Sequence, residues 1–247
     1  MPIETVIFDL GGTLIEYTGS YADWPDLETP GFQAAYDVLA VDGNRMPPFT
    51  QFRDAGFGLL PNMWQAATRH EQNLRVVDLI TASLQAVDVR DVANTDLETA
   101  AFQYGAAIQA QAYLIDNAVE TVITLKDAGY RLGLVSNTMF PGTLHQEDMA
   151  RFGLLEHFEA MVFSADVTKW KPNADPFLQV LDELGVEAET AVYVGDDPAS
   201  DVVGGRAAGM HTIFFKSSNR FHKPEHIHPH AEINTLTELQ DVLKLFA

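Results

Sequence analysis

Five short stretches of this sequence are apolar almost without interruption and rich in β-branched or aromatic residues. They are Thr5-Val6-Ile7-Phe8, Arg131-Leu132-Gly133-Leu134-Val135, Ala160-Met161-Val162-Phe163, Ala191-Val192-Tyr193-Val194 and Thr212-Ile213-Phe214-Phe215. A strand with one wet face alternates apolar and polar residues, whereas a strand buried on both faces does not. The pattern therefore predicts a parallel sheet covered on both sides. Helical periodicity separates the later runs. Asn117 to Gly129 carries Val119, Val122, Ile123 and Leu125 on one face and closes at Gly129 as a C-terminal cap. Phe177 to Gly185 repeats the arrangement with Leu178, Val180, Leu181 and Leu184. Ala231-Glu232-Ile233 reads as a last short strand, and Leu236 to Phe246 as a last amphipathic helix. Strand–helix alternation of this kind specifies an α/β fold with a doubly wound parallel sheet.

The interval from Phe8 to Arg131 is far too long for an ordinary crossover. It begins with turn-rich sequence (Trp24-Pro25, Thr29-Pro30-Gly31, Pro47-Pro48). From about Asn62 to Leu114 it becomes helical, with Val76, Leu79, Ile80 and Leu84 at helical spacing. Residues 17–115 are therefore expected to form an inserted, mostly helical lid. Residues 1–16 and 116–247 are expected to form the sheet domain beneath it.

Charge and composition narrow the function. Fifteen Lys+Arg stand against 35 Asp+Glu, a formal net charge of −20, which argues against a nucleic-acid partner, since such proteins neutralise phosphates with clustered cations. There is no cysteine, hence no disulfide, thiolate metal site or cysteine nucleophile. No apolar run approaches the roughly 20 residues that span a bilayer. The first residues, Met1 to Asp9, are too short and acidic a stretch for a signal peptide, so a cytoplasmic location without membrane partners is expected. Nothing in the sequence specifies an oligomeric state.

In open α/β sheets the chemistry sits where strands end. Here the first strand ends in Asp9-Leu10-Gly11-Gly12-Thr13-Leu14, the second in Ser136-Asn137-Thr138, and the fourth in Gly195-Asp196-Asp197, with Asp201 close behind; Lys169-Trp170-Lys171-Pro172 follows the third. Three carboxylates converging on one sheet edge call for a divalent cation, and an oxygen-only set suits Mg²⁺. A lysine and a hydroxyl beside it supply what a transferring phosphoryl group needs.

These segments, in this order and with a helical insertion between the first and second, resemble the haloacid dehalogenase-like (HAD) hydrolases along almost the whole chain. The resemblance implies a Rossmann-like core with a helical cap and a Mg²⁺-dependent phosphatase acting on a small phosphorylated substrate. By the same resemblance Asp9 is the nucleophile, Ser136 holds phosphoryl oxygens and Lys171 balances charge. Leu10, Gly11 and Asn137 lend backbone amides to the substrate, while Asp9, the Gly11 carbonyl, Asp196 and Asp201 hold the metal. Lys171 rather than Lys169 takes the lysine role because it immediately precedes Pro172. One position departs from the pattern. The family's phosphatases carry an acid/base aspartate two residues after the nucleophile, and this chain has Gly11, a loss typically worth about 10²–10⁴-fold in rate. A 2-haloacid dehalogenase, whose family members also lack that aspartate, and a binding protein on a weakened enzyme scaffold are the alternatives. Asp196 and Asp201 favour the phosphatase, because dehalogenation needs no metal.

Other features have simpler readings. His222, His226, His228 and His230, with Pro224 and Pro229, read as a polar surface loop rather than a Zn²⁺ or Ni²⁺ site, since no cysteine or regular ligand spacing accompanies them. Gly204 to Gly209 lacks the strand-to-helix context of a dinucleotide site and reads as close helix packing. Asp197 is either a ligand or a turn residue. Tyr17, Tyr21 and Trp24 either touch substrate or pack the hinge of the lid.

Overall fold

The computed structural model describes residues 2–18, 24–41, 45–69, 73–216, 221 and 223–246. Its strands are β1 (Thr5–Phe8), β2 (Ile15–Glu16), β3 (Tyr113–Leu114), β4 (Arg131–Ser136), β5 (Ala160–Phe163), β6 (Ala191–Gly195), β7 (His211–Phe215) and β8 (Ala231–Ile233). Six of them form one parallel sheet in the order β5-β4-β1-β6-β7-β8. The chain builds outward from β1 first toward β5 and then toward β8. The strand order therefore reverses at β1, and the crevice of such a sheet opens at the carboxyl ends around that point.

Helices α1 (Thr29–Val41), α2 (Phe49–Thr68), α3 (Val76–Ala86) and α4 (Asn94–Gln109) form the cap. Helices α5 (Ala118–Asp127), α6 (Gly142–Arg151), α7 (Asp175–Leu184), α8 (Val203–Ala207) and α9 (Leu239–Leu243) belong to the sheet layers. Successive side chains of a strand point to opposite faces, and β1 shows it. Val6 and Phe8 join Val122 and Leu125 of α5 and Leu239 of α9 in one cluster, while Ile7 joins Phe177, Val180 and Leu184 of α7 in another. The runs are continuously apolar because both faces are covered. No helix among the described residues is long and apolar enough to cross a membrane.

The cap has its own core around Phe32, Phe52, Leu79, Ile80 and Tyr104, but Met139, Phe140, Leu144 and Trp170 of the sheet domain pack in the same cluster. Polar contacts reinforce the junction. Trp170 Nε1 donates to Asn73 Oδ1 (2.7 Å), Asn73 Nδ2 donates to the Val167 carbonyl (3.1 Å), and the Val76 amide donates to the Met139 carbonyl (3.0 Å). The two chain crossings pair with one another, Ile15 opposite Leu114 and Glu16 opposite Tyr113.

Several expectations are corrected. The cap is helical from Thr29, not from about Asn62, because Pro30 sits in the first turn of α1, where a missing N–H costs nothing. The helical stretch stops at Gln109, and Tyr113–Leu114 is a strand. Ile123 and Leu178 are exposed at 41% and 48%, so neither belongs to the buried stripe of its helix. The C-terminal helix is broken: 3₁₀ turns at Leu236–Glu238 and Lys244–Phe246 flank the five residues of α9.

Candidate active site

The carboxyl ends of β1, β4 and β6 open into a cavity of about 820 Å³, and Asp9, Leu10, Gly11, Ser136, Asn137, Lys171, Asp196 and Asp201 all line it. Asp9 continues the β1–β6 ladder by one bond, its amide donating to the Val194 carbonyl (2.9 Å). The chain then folds back tightly, with the amides of Thr13, Leu14 and Ile15 all donating to the Leu10 carbonyl. Gly12 takes φ +81°, and a Cβ there would collide with the Asp196 carboxylate. A Cβ on Gly195 would collide with Asp201 in the same way. Glycine at these two positions leaves room for the acids.

Lys171, 2% exposed, ties the group together. Its Nζ donates to Asp9 Oδ1 (2.7 Å), Asp201 Oδ1 (2.8 Å), Tyr193 Oη (2.8 Å) and the Val135 carbonyl (3.1 Å). Asn137 grips its backbone from both sides, accepting from the Lys171 amide at 2.8 Å and donating to its carbonyl at 2.9 Å. Burial alone would lower the pKa of this ammonium, but Asp201 and Asp9 hold it above the ordinary lysine value. Burial pushes Asp201 up to about 7, with Lys171 opposing the shift. Asp201 hangs from a single π-helical turn, Pro198–Val202, and its Oδ2 accepts from the Asp197 amide (2.9 Å). The Asp197 carboxylate accepts from the Ala199 amide (3.0 Å), the work of a turn residue.

One carboxylate oxygen each from Asp9, Asp196 and Asp201 lies within 4.8 Å of the others. Three buried carboxylate oxygens that close together, with two glycines clearing the space behind them, are a hard donor set that fits a small divalent cation. Gly11 is the open side of the site. A Cβ built on it meets nothing within 4 Å, and its φ lies outside the left-handed region.

A chain of hydrogen-bonded side chains, Tyr17, His145 and Thr138, borders the cavity. Tyr17 Oη lies 2.9 Å from His145 Nδ1, and His145 Nε2 lies 2.7 Å from Thr138 Oγ1. Burial lowers His145 to about 4, so its imidazole is neutral. Burial, and then Asp148, raises the Tyr17 phenol. Tyr17 thus both lines the cavity and packs the hinge. Trp24 lines the cavity too, edge-on to Trp64; Tyr21 lies outside the described residues. Tyr193 and His145 escaped sequence reasoning, whereas Thr138 stood in the strand-end segment Ser136-Asn137-Thr138 without a role of its own. Tyr193 is indistinguishable from core within its strand, and His145 lies on a helix with no motif around it.

Lys169 is half-buried and absent from the cavity wall. His230 Nδ1 accepts from the Thr212 amide (3.0 Å), and His226 and His228 are exposed. His222 lies outside the described residues. Gly204 packs on Phe177, and Gly205 on Thr212 and Tyr193, as close helix packing requires.

Comparisons with known proteins agree with this picture. The family model described as haloacid dehalogenase-like hydrolase matches residues 60–215. A glyceraldehyde 3-phosphate phosphatase of Methanothermobacter thermautotrophicus is 32% identical over 132 residues, 51% of this chain and 57% of that protein. A ribulose-1,5-bisphosphate 5-phosphatase of Halopiger xanaduensis is 27% identical over 252 residues, 96% of this chain and 98% of that one. The crystal structure of a 2-haloacid dehalogenase from Pseudomonas syringae pv. Tomato DC3000 superposes with a TM-score of 0.69 at 24% identity, covering 99% of this chain and 100% of that chain. That last likeness carries the fold alone.

Proposed function

Because this chain belongs to the haloacid dehalogenase-like hydrolase family, we propose that it is a Mg²⁺-dependent phosphatase of a small phosphorylated metabolite, acting in the cytoplasm. The observation that carries the reading is the meeting of Asp9, Lys171, Asp196 and Asp201 in one cavity at the sheet's switch point. Named phosphatases among the relatives support it over halide displacement.

In this reading residues 1–16 and 116–247 are the catalytic core, and residues 17–115 are the cap that closes to exclude water. Asp9 attacks phosphorus in line, the bond from phosphorus to the alcohol oxygen breaks, and water then hydrolyses the aspartyl-phosphate. Lys171, whose Nζ donates to Asp9 Oδ1, balances the charge of the nucleophile and of the phosphoryl group. The Ser136 hydroxyl and the amides of Leu10, Gly11 and Asn137 hold the phosphoryl oxygens. Asp9, the Gly11 carbonyl and Asp196 would hold Mg²⁺, with Asp201 beside them; when bound, the ion supplies positive charge against the transferring phosphoryl group. With no acid/base side chain at Gly11, the proton for the departing alcohol comes from water or from the substrate itself. Esters of acidic alcohols are therefore the best substrates.

Hydrolysis of p-nitrophenyl phosphate with Mg²⁺ and with EDTA tests the reading directly. Turnover should need the metal and fall about 10³-fold or more in Asp9→Asn, with the circular dichroism spectrum retained. Undiminished turnover in the variant removes the nucleophile assignment. Inactivity of the wild type across a panel of phosphate esters leaves a binding protein on the same scaffold.

A further inference from the structure

His145 stands at a junction that the chemistry around Asp9 does not use. It belongs to α6, is buried, and lines the cavity together with Tyr17 and Thr138. Its ring stacks on Phe163, the last residue of β5, at 5.4 Å and 15°, and meets Tyr17 and Phe140 edge-on. Packing on these three rings fixes its orientation. Both nitrogens are then engaged, Nε2 with Thr138 Oγ1 at 2.7 Å and Nδ1 with Tyr17 Oη at 2.9 Å. A neutral imidazole carries one N–H, so it donates to one of these hydroxyls and accepts from the other. The three side chains form one directional chain.

The two ends of that chain lie in different parts of the molecule. Thr138 closes the turn Ser136-Asn137-Thr138 at the end of β4. Ser164 Oγ accepts from the Thr138 amide (2.7 Å) and donates to its carbonyl (3.0 Å), while Thr138 Oγ1 accepts from the Phe140 amide (3.0 Å). One residue earlier, the Asn137 side chain brackets the backbone of Lys171. Tyr17 follows Glu16 of β2, where the chain leaves the sheet for the cap, and its amide donates to the Glu16 carboxylate (2.7 Å).

We propose that His145 is a positioning residue, which sets the turn Ser136–Thr138 through Thr138 and ties it to the cap crossing through Tyr17; the inference rests on the phosphatase reading, in which that turn holds the phosphoryl oxygens. Removing either hydroxyl leaves a buried ring nitrogen without its partner and frees the turn to shift. A misplacement of about 1 Å can cost about 10²-fold in rate. The loss falls on the transition state, because five-coordinate phosphorus demands stricter placement of the donors than a tetrahedral phosphate does. Side chains that act as one unit also give non-additive losses, so breaking the chain twice costs little more than breaking it once.

Tyr17→Phe keeps the edge-on ring, Thr138→Val keeps the shape of the side chain, and Thr138→Ser keeps the hydroxyl. The variants and the Tyr17→Phe/Thr138→Val double variant would be assayed for kcat and KM on p-nitrophenyl phosphate with Mg²⁺. Isothermal titration calorimetry in the same buffer would measure binding of orthovanadate and of inorganic phosphate. Tyr17→Phe and Thr138→Val should each lower kcat about 10-fold or more, with KM changed less than about 3-fold. Both should weaken vanadate more than phosphate. The double variant should lie within about 3-fold of the slower single variant, and Thr138→Ser within about 3-fold of the wild type. Equal losses in Thr138→Ser and Thr138→Val, multiplying losses in the double variant, or equal weakening of the two anions overturns the inference. Vanadate binding that needs both hydroxyls, in a protein that hydrolyses no phosphate ester, would keep the inference and remove the phosphatase reading. A phosphatase whose kcat survives both single substitutions would do the reverse, and binding of neither anion would remove both.

Discussion

Lys171 Nζ lies 2.7 Å from Asp9 Oδ1, with the two side chains only 2% and 9% exposed. The same nitrogen is 2.8 Å from Asp201. Removing the cation strands two buried carboxylates beside Asp196. Lys171→Met should therefore cost about 3–5 kcal/mol of stability, the usual result of breaking a buried pair on one side. Urea denaturation at pH 7 measures it. The cost should shrink in acid, where protonation of the carboxylates removes the uncompensated charge, and a loss below about 1 kcal/mol at pH 7 would mean the pair is solvated.

A Cβ on Gly11 meets nothing within 4 Å, so the first atom of a side chain there displaces no neighbour. Gly11→Asp should raise turnover of alkyl phosphates, whose alkoxide leaves poorly without a proton, by about 10²-fold or more. Turnover of p-nitrophenyl phosphate should change far less. Parallel kcat measurements on the two substrates decide the matter, and an equal change on both would place the chemical deficit elsewhere.

His145 is buried and neutral, and its pKa in the fold is lowered from the ordinary 6.5 to about 4. The unfolded chain takes up a proton near pH 6.5 and the folded chain does not until about pH 4. Its contribution is thus complete above pH 6.5 and is lost as pH falls toward 4, up to about 3 kcal/mol. The fall in unfolding free energy between pH 7 and pH 4.5 should be smaller in His145→Gln than in the wild type.

With a formal charge of −20 the folded surface repels itself. Raising KCl from about 0.1 M to about 1 M shortens the screening length from about 10 Å to about 3 Å and should raise Tm. Differential scanning fluorimetry across that range tests it; a Tm that falls with salt would mean that attractive ion pairs outweigh the repulsion.

What was legible in the sequence follows from how each element is stabilised. The strands Thr5–Phe8 and Ala191–Gly195 are buried on both faces, so their local composition carries the whole signal. Strand ends in a doubly wound sheet converge by topology, which is why Asp9, Ser136 and Asp196 could be expected at one edge from their places at strand ends, while their roles came from the family resemblance. The two-residue strands Ile15–Glu16 and Tyr113–Leu114 are too short to show a period, and each exists because the other is there. Ile123 and Leu178 are apolar residues at the edge of a helical stripe, where periodicity does not separate buried from exposed. Tyr193 reads as one more buried residue of an apolar strand, and the partners of its hydroxyl, Lys171 and Val135, are distant in sequence.

The shared cluster at the junction of cap and sheet bears on how such proteins diversify. Trp170, next to Lys171, and Met139, Phe140 and Leu144, just beyond Ser136, fill the interior of the four-helix unit. A chimera that moved only those four helices onto a foreign sheet would arrive with its hydrophobic centre missing four side chains. The four helices and the segments around Met139 and Trp170 form one packing unit, and a transplant of the helices would have to carry both segments along.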